Sequence, residues 1–380
     1  MGSDVAMNTT ALLTLLQARR GRILDDTAAL VNCESPSEDL EATAVCAEMV
    51  AELGNELLGV TANWYTAQGR PHLIWRCGGP TRVLLIGHCD TVWPSGTLAR
   101  WPFSVEENRA TGPGVFDMKA GLAQMFHGLS VLDDLTGVTV IVTTDEEIGS
   151  PTSRAVIEGL ATGARAALVL EASLDGALKT VRKGASLYRL AIDGKAAHAG
   201  LEPEFGVNAT VEAAHQILAI AEMGDAAAGT TVTPTIVRSG RTTNTVPDHA
   251  EIAVDVRAAD RSDQFRVDRA MRALRPVVPG ARLELDADVN RPPLTSEASA
   301  ELFAVAASLA DDMGLAPLRG VAAGGGSDGN FTAGVGVRTL DGLGAVGAHA
   351  HAEGEWASVA DMPDRAALLA ALVAAIRNGA

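Results

Sequence analysis

The sequence predicts an α/β protein: a mixed sheet sandwiched by helices and interrupted by a smaller, inserted α+β domain. Three observations carry this. Short apolar runs at 83–86, 138–142, 166–170 and 335–340 lack alternation and are bounded by Gly, Pro or acids. Their length and β-branched content suit strands buried on both faces. Between two of them, residues 118–132 read as a helix, which gives the strand–helix–strand rhythm of α/β architecture. From Ser186 onward the strands alternate instead, with Ile252, Val254 and Val256 set against Glu251, Ala253, Asp255 and Arg257. Such alternation means one covered face and one open face.

Taken in order, residues 10–31 are rich in Leu and Ala and read as helical. Ser35-Pro36-Ser37-Glu38 has the pattern of a capping box with proline at the first helical position. The helix it starts is expected to run to about Leu53 and to end at Gly54. The inserted part reads as strand 187–192, helix 208–223, strand 230–237, strand 251–257, helix 263–274 and strand 281–287. That order, β-α-β-β-α-β, is ferredoxin-like. The expected division is therefore 1–184 for the first part of the larger domain, 185–290 for the insertion and 291–380 for the second part. After Arg291-Pro292-Pro293 the α/β pattern resumes, with a helix near 299–313 and a last helix at 364–376.

The chain has 380 residues, a length that suits two domains, and is 47% hydrophobic and 20% charged, enough to fill sizeable cores. Lys and Arg number 30 against 47 Asp and Glu, a formal charge of −17. A nucleic-acid partner needs a basic face, and at 4% aromatics stacking platforms are scarce, so none is expected. No run of ~18 apolar residues suggests a membrane span. The apolar stretch 11–16 is short and is followed by Arg19, Arg20 and Arg22, which is a poor secretory signal. Cys33, Cys46, Cys77 and Cys89 show no C-x-x-C spacing, so the expectation is four reduced thiols in a cytoplasmic protein.

The residues that bear chemistry sit at the carboxyl ends of the buried strands, where ligands bind in open α/β sheets. The run 83–86 leads into Gly87-His88-Cys89-Asp90, the run 138–142 into Asp145-Glu146-Glu147, and the run 166–170 into Glu171. In an extended segment His88 and Asp90 share a face, and an aspartate beside a ligating histidine is a common way of fixing its tautomer. Each alone also reads blandly, as a capped strand-end histidine or a solvated acidic loop. Their co-occurrence with Asp117, at the loop-to-helix junction of Gly112-Pro113-Gly114-Val115-Phe116-Asp117-Met118-Lys119, favours a bound cation.

With those motifs, and with Gly194-Lys-Ala-Ala-His198-Ala-Gly, Asn244-Thr-Val-Pro, Gly324-Gly-Gly-Ser-Asp328 and His351 four residues before Glu355, the chain resembles the M20 dinuclear-zinc metallopeptidases and amidohydrolases over essentially its whole length. It is most similar to the glutamate carboxypeptidase branch. The resemblance implies two Zn²⁺ per subunit, with Co²⁺ or Mn²⁺ as substitutes. His88, Asp117 and Glu171 would hold one, and Asp117, Glu147 and His351 the other. It also implies a metal-bridging hydroxide, Glu146 as general base and acid, Asp90 orienting His88, and His198 as a donor to the oxyanion. The inserted domain would act as lid and dimerisation element, so a homodimer is implied.

For the substrate, Arg291 resembles an arginine that clasps a free carboxylate; a solvent-facing arginine at a hinge is the alternative. Asn244 and the Gly325 and Gly326 amides are the other candidate substrate contacts. His349 competes with His351 for the last metal position, and the resemblance favours His351, which precedes Glu355 by four as the family pattern requires. Cys89 is read as a buried thiol facing away from the ligands. The function so implied is hydrolysis of an amide bond next to a free carboxylate, in a short peptide or a small molecule, releasing a C-terminal amino acid such as glutamate. The alternatives are an N-acyl-amino-acid deacylase, like the acetylornithine deacetylases and succinyl-diaminopimelate desuccinylases, and, remotely, an inactive binding homologue.

Overall fold

A computed structural model describes residues 9–379. The chain divides into two compact units. The first takes the chain up to Val181, Leu294–Ala323 and everything from Ser327 onward; the second takes Arg182–Pro293 together with Gly324–Gly326. Within the second unit the Arg182 guanidinium donates to the Gly325 and Gly326 carbonyls at 3.0 and 3.1 Å.

The first unit is built on a six-stranded sheet in the order Asn63–Ala67, Arg70–Arg76, Val138–Thr143, Val83–His88, Ala166–Val169, Thr339–Leu340. The last four strands run parallel; the first two form a hairpin laid antiparallel against Val138–Thr143. The three central strands are buried at every residue, as apolar runs without alternation require. Val83, Leu85, Val140 and Leu168 face a core shared with Val50, Phe126 and Leu372, from three different helices. Leu84, Ile86, Ile141 and Val169 face the other way, against Ile157 and Phe331. Helices therefore cover both faces of the sheet.

Several expectations need correction. The N-terminal helical stretch is two helices, Thr9–Ala18 and Arg20–Val31, broken at Arg19. Ser35-Pro36-Ser37-Glu38 is not a capping box: the helix is Leu40–Leu58, its N-cap is Asp39, which accepts from Ala42 N, and Gly59 ends it at φ 65°. Ser35 and Ser37 are used elsewhere, on Cys89 O and the Asp90 carboxylate. Gly54 lies inside that helix, where a Cβ would come within 2.5 Å of Trp75. Of the run 335–340 only Thr339–Leu340 is strand, because Val335 closes the helix Gly329–Gly334. The helix expected at 118–132 is Ala120–Leu129.

The second unit is a four-stranded antiparallel sheet, ordered Thr231–Ser239, His249–Ala258, Gly184–Asp193, Arg282–Arg291, with helices Ala209–Ala221 and Arg261–Ala273. Ile252, Val254 and Val256 are buried with Leu190, Ile192, Ala213 and Val267, so the alternation in the sequence does mark a single covered face. Strand Thr231–Ser239 is an edge and leaves Ile236 and Val237 exposed. Among the described residues no helix is long and apolar enough to cross a membrane, and all four cysteines are unpaired.

Candidate metal centre and active site

Parallel strands end level with one another, and that register gathers the acids. His88 is the last residue of its strand and lies opposite Thr143, so the chain leaving Thr143 delivers Asp145, Glu146 and Glu147 beside it. Glu171 follows the neighbouring strand Ala166–Val169. Asp117 sits in a turn opened by Gly114, at φ 72°, just before the helix Ala120–Leu129; its peptide bond to Met118 is cis. His351, with φ 63°, comes from the turn between the short strands Gly347–Ala348 and Trp356–Ser358.

The result is two trios that share one carboxylate. His88 Nε2 lies 3.3 Å from Asp117 Oδ1 and 3.4 Å from Glu171 Oε1. His351 Nε2 lies 3.3 Å from Asp117 Oδ2 and 3.1 Å from Glu147 Oε2. Asp117 thus turns one oxygen to each side, and within each trio the donor atoms lie within 4.8 Å of one another. Neither His349 nor Cys89 belongs to either group, and Cys89 is buried.

These residues fit divalent cations. His88 Nε2, Asp117 Oδ1 and Glu147 Oε1 are buried atoms without a hydrogen-bond partner. Such orphans are costly, and here they converge. Imidazole and carboxylate are donors that zinc accepts, and cobalt or manganese could replace it. The protonation pattern agrees. Burial pulls His88 down, but the close Asp117, Asp90 and Glu171 carboxylates outweigh it and hold the imidazole well above its usual value. Asp117 and Glu147 raise His351 to about 10. Burial pushes Asp117 up, yet the two imidazoles hold it well below the carboxylate range, and burial together with the Asp117 charge lifts Glu147 to about 7. The cluster carries negative charge that protons offset when no metal does.

Neighbouring groups fix the ligands. His88 Nδ1 bonds the carbonyl oxygen of Asp90 at 2.9 Å, a partner that makes Nδ1 the donor and leaves Nε2 free to ligate. The Asp90 carboxylate is farther from that ring, at 3.5 Å. It accepts instead from Ser37 Oγ at 2.7 Å and from the Glu146 and Glu147 amides at 3.2 Å each. Asp90 therefore steadies the loop that carries Glu146, a residue only 8% exposed. Ser37 and Asp145 were missed in the sequence. Asp145 is fully buried and accepts from the amides and hydroxyls of Thr152 and Ser153, at 2.6–3.2 Å. An acid followed seven and eight residues later by Thr and Ser was the available signal.

The remaining candidates belong to the second unit. His198 is exposed and pairs in a bridge with Thr245; its Nδ1 accepts from the Gly200 and Leu201 amides at 3.1 Å. Asn244 lies beside it, its carbonyl accepting from Ala199 N at 2.9 Å. Arg291 ends the strand Arg282–Arg291 and is buried, its carbonyl accepting from Gln264 Nε2. Gly325 and Gly326 face Arg182 with their carbonyls.

Beside Glu147 opens a groove of about 710 Å³. Leu40, Val92 and Ile148 line it and are 41–42% exposed, an unusual amount for large apolar side chains that lie together. Glu38 and Asp39 flank them, and among the described residues no basic side chain lines the groove.

The profile of Peptidase family M20/M25/M40 matches residues 84–375. The chain belongs to peptidase family M20/M25/M40. It is a hydrolytic enzyme of the metallopeptidase class, and it carries two side-chain trios that could hold metal. This M20 peptidase is 32% identical over 364 residues to carboxypeptidase G2 of Pseudomonas sp. (strain RS-16), an alignment covering 90% of this chain and 86% of that one. It is 27% identical over 298 residues to succinyl-diaminopimelate desuccinylase of Wolinella succinogenes, covering 74% and 80%. Its fold matches an M20 family metallo-carboxypeptidase from Sulfolobus solfataricus at TM-score 0.73 and 18% identity, covering 92% and 98% of the two chains. A tripeptidase from Staphylococcus aureus matches at TM-score 0.76 and 21% identity, covering 94% and 99%.

Proposed function

We propose that this M20 peptidase hydrolyses the amide bond preceding a terminal amino acid with a free carboxylate, releasing a residue such as glutamate. The observation that carries the reading is the pair of trios joined through Asp117. Two divalent cations bound there would supply Lewis acidity, lowering the pKa of a water towards neutrality and polarising a carbonyl. His88, Asp117 and Glu171 would hold one, and Asp117, Glu147 and His351 the other. Glu146 takes the water's proton on its carboxylate and returns it to the departing amine nitrogen. Its placement by two amide bonds to Asp90, at Glu146 itself and at Glu147, suits a group that must move a proton without moving itself. Arg291, Asn244 and the Gly325–Gly326 segment bind the substrate carboxylate, and His198 serves the oxyanion. The similarity to carboxypeptidase G2 supports this choice of leaving group.

A second reading, removal of an acyl group from an N-acyl amino acid as in the desuccinylase relative, shares the chemistry. The groove beside Glu147 argues against a succinyl group, because an anionic acyl part would lie against Glu38 and Asp39 with no cation to meet it. A homodimer formed through the second unit completes the proposal, supported by the open edge Thr231–Ser239. Sedimentation at micromolar concentration should show two chains, and Ile236→Lys should shift them towards one; a monomeric wild type defeats the dimer.

A panel of N-acylglutamates, dipeptides and N-acyl-diamino acids, offered to zinc-loaded protein and scored by amine release, tests the reading. Glutamate release should dominate. Arg291→Ala should raise KM or lower kcat/KM at least ~10-fold for substrates with a free carboxylate, as loss of a charge-assisted pair implies, and equal loss on all substrates removes Arg291 from the site.

A further inference from the structure

Glu355 accepts four hydrogen bonds beside the metal trios, yet it belongs to neither of them. It is fully buried, four residues after His351. Oε1 accepts from the backbone amides of Phe116 and Asp117 at 2.8 and 2.9 Å. Oε2 accepts from the Gly114 amide at 3.1 Å and from the Trp93 indole at 2.9 Å. All four partners are donors, and each carboxylate oxygen accepts from two of them. Hydrogen bonds to an ionised acceptor are roughly twice as strong as neutral ones, and here three hold consecutive or near-consecutive amides of one turn.

That turn carries Asp117, the carboxylate common to both trios. Its two oxygens must stand on opposite sides of the same carbon to face His88 and His351, so a small rotation of the backbone moves both donors at once. One end of Glu355 fixes the amide of Asp117 itself. Its other end fixes Gly114, whose left-handed φ opens the turn. Through its own main chain, closed by the Glu355 N–H to Ala352 carbonyl bond of 3.0 Å, it is tied to the turn of His351. One carboxylate thus locks the ligand shared by both trios to the ligand that completes the second.

We propose that Glu355 is a positioning residue that sets where Asp117 stands between the two cation sites, and so governs the affinity of the second cation and the pairing of both. This rests on the metal-centre reading above. A role confined to satisfying buried amides would lower stability and leave the folded protein's metal affinity alone; the two are separable.

The experiment is metal titration of wild type and Glu355→Gln, both shown folded by circular dichroism, using Zn²⁺ binding and the visible absorption of the Co²⁺-loaded protein. Glutamine keeps the size but turns an NH₂ group onto one pair of N–H donors, so the turn must shift. The expected result is a second cation bound 10–100-fold more weakly, the range typical when a ligand's supporting partner is lost, with an altered cobalt spectrum and kcat falling more than KM rises. Should Glu355→Gln not be recovered folded, Glu355→Asp keeps the charge, shortens the reach and must weaken the second cation likewise. A folded variant with wild-type titration and cobalt spectrum overturns the proposal. Wild type that binds neither Zn²⁺ nor Co²⁺ overturns the metal-centre reading beneath it.

Discussion

Single side chains decide chemistry and pH response here. Glu146 lies at the loop tip held by Asp90, and its removal takes away the proposed proton carrier without touching a donor of either trio. Glu146→Ala should retain its metal by elemental analysis and its melting temperature, and lose at least ~10²-fold in kcat; full activity would remove it from the mechanism. His127 is a different case. It is fully buried, its Nε2 is 2.7 Å from Asp26 Oδ2 and its Nδ1 has no partner. Burial, only partly opposed by Asp26, holds its pKa below the usual 6.5, as burial also does for His72. A depressed folded-state value means that the unfolded chain takes up the proton first. Stability is therefore fully present above pH ~6.5 and is lost as pH falls through the folded value, with a slope of up to ~1.4 kcal/mol per pH unit for each histidine. Urea unfolding at pH 7.5 and 5.5 should show the loss, and His127→Gln should flatten it. That His88, Asp117, Glu147 and Glu171 converge was legible at this scale because strand ends and a glycine-rich junction mark them. The partners of Asp90 were not: that its carboxylate serves Ser37 and the Glu146–Glu147 amides depends on chain segments more than fifty residues apart.

Among elements, the central strands could be read from sequence because burial on both faces removes alternation, and nothing local competes with that signal. Helix starts were harder. Ser35-Pro36-Ser37-Glu38 satisfies every local rule for a cap, yet Ser35 and Ser37 reach across to Cys89 and Asp90, and Asp39 caps the helix instead. A tertiary partner outbid a local one. Gly54 repeats the lesson: it reads as a stop, but packs mid-helix beneath the edge-on Trp75–Phe126 pair, whose ring centroids are 5.2 Å apart. Gly54→Ala would bring Cβ to 2.5 Å from Trp75 and 2.9 Å from Phe126. Despite the better helix propensity of alanine, it should destabilise by about 1–3 kcal/mol, the usual cost of overpacking. Chemical denaturation checks this, and a stabilised variant would show that the indole can yield.

For the molecule as a whole, the proposed metal centre is a long-range crosslink. Its donors run from His88 to His351 and sit on five separate segments of the first unit. A ligand that binds only the folded form stabilises it by about 2.7 kcal/mol at a hundredfold excess over its Kd. Chelation should therefore abolish activity and lower the first unit's melting temperature together, with Zn²⁺, Co²⁺ or Mn²⁺ restoring both; activity that survives complete stripping would exclude the metal mechanism. The two-unit organisation was legible because the hydrophobic rhythm changes near Ser186, whereas the grouping of Gly324–Gly326 with the second unit, where Arg182 donates to two of their carbonyls, is a long-range pairing that no sequence rhythm reveals.

The order of the donors along the chain also bears on biosynthesis. Four of the five precede Glu171 or are Glu171 itself, whereas His351 follows Glu171 by 180 positions. A polypeptide made as far as Glu171 holds every donor of the first trio and two of the three of the second, so the second trio waits for the long stretch that leads to His351. Premature termination between Glu171 and that histidine would leave the donors of the first trio without the last donor of the second.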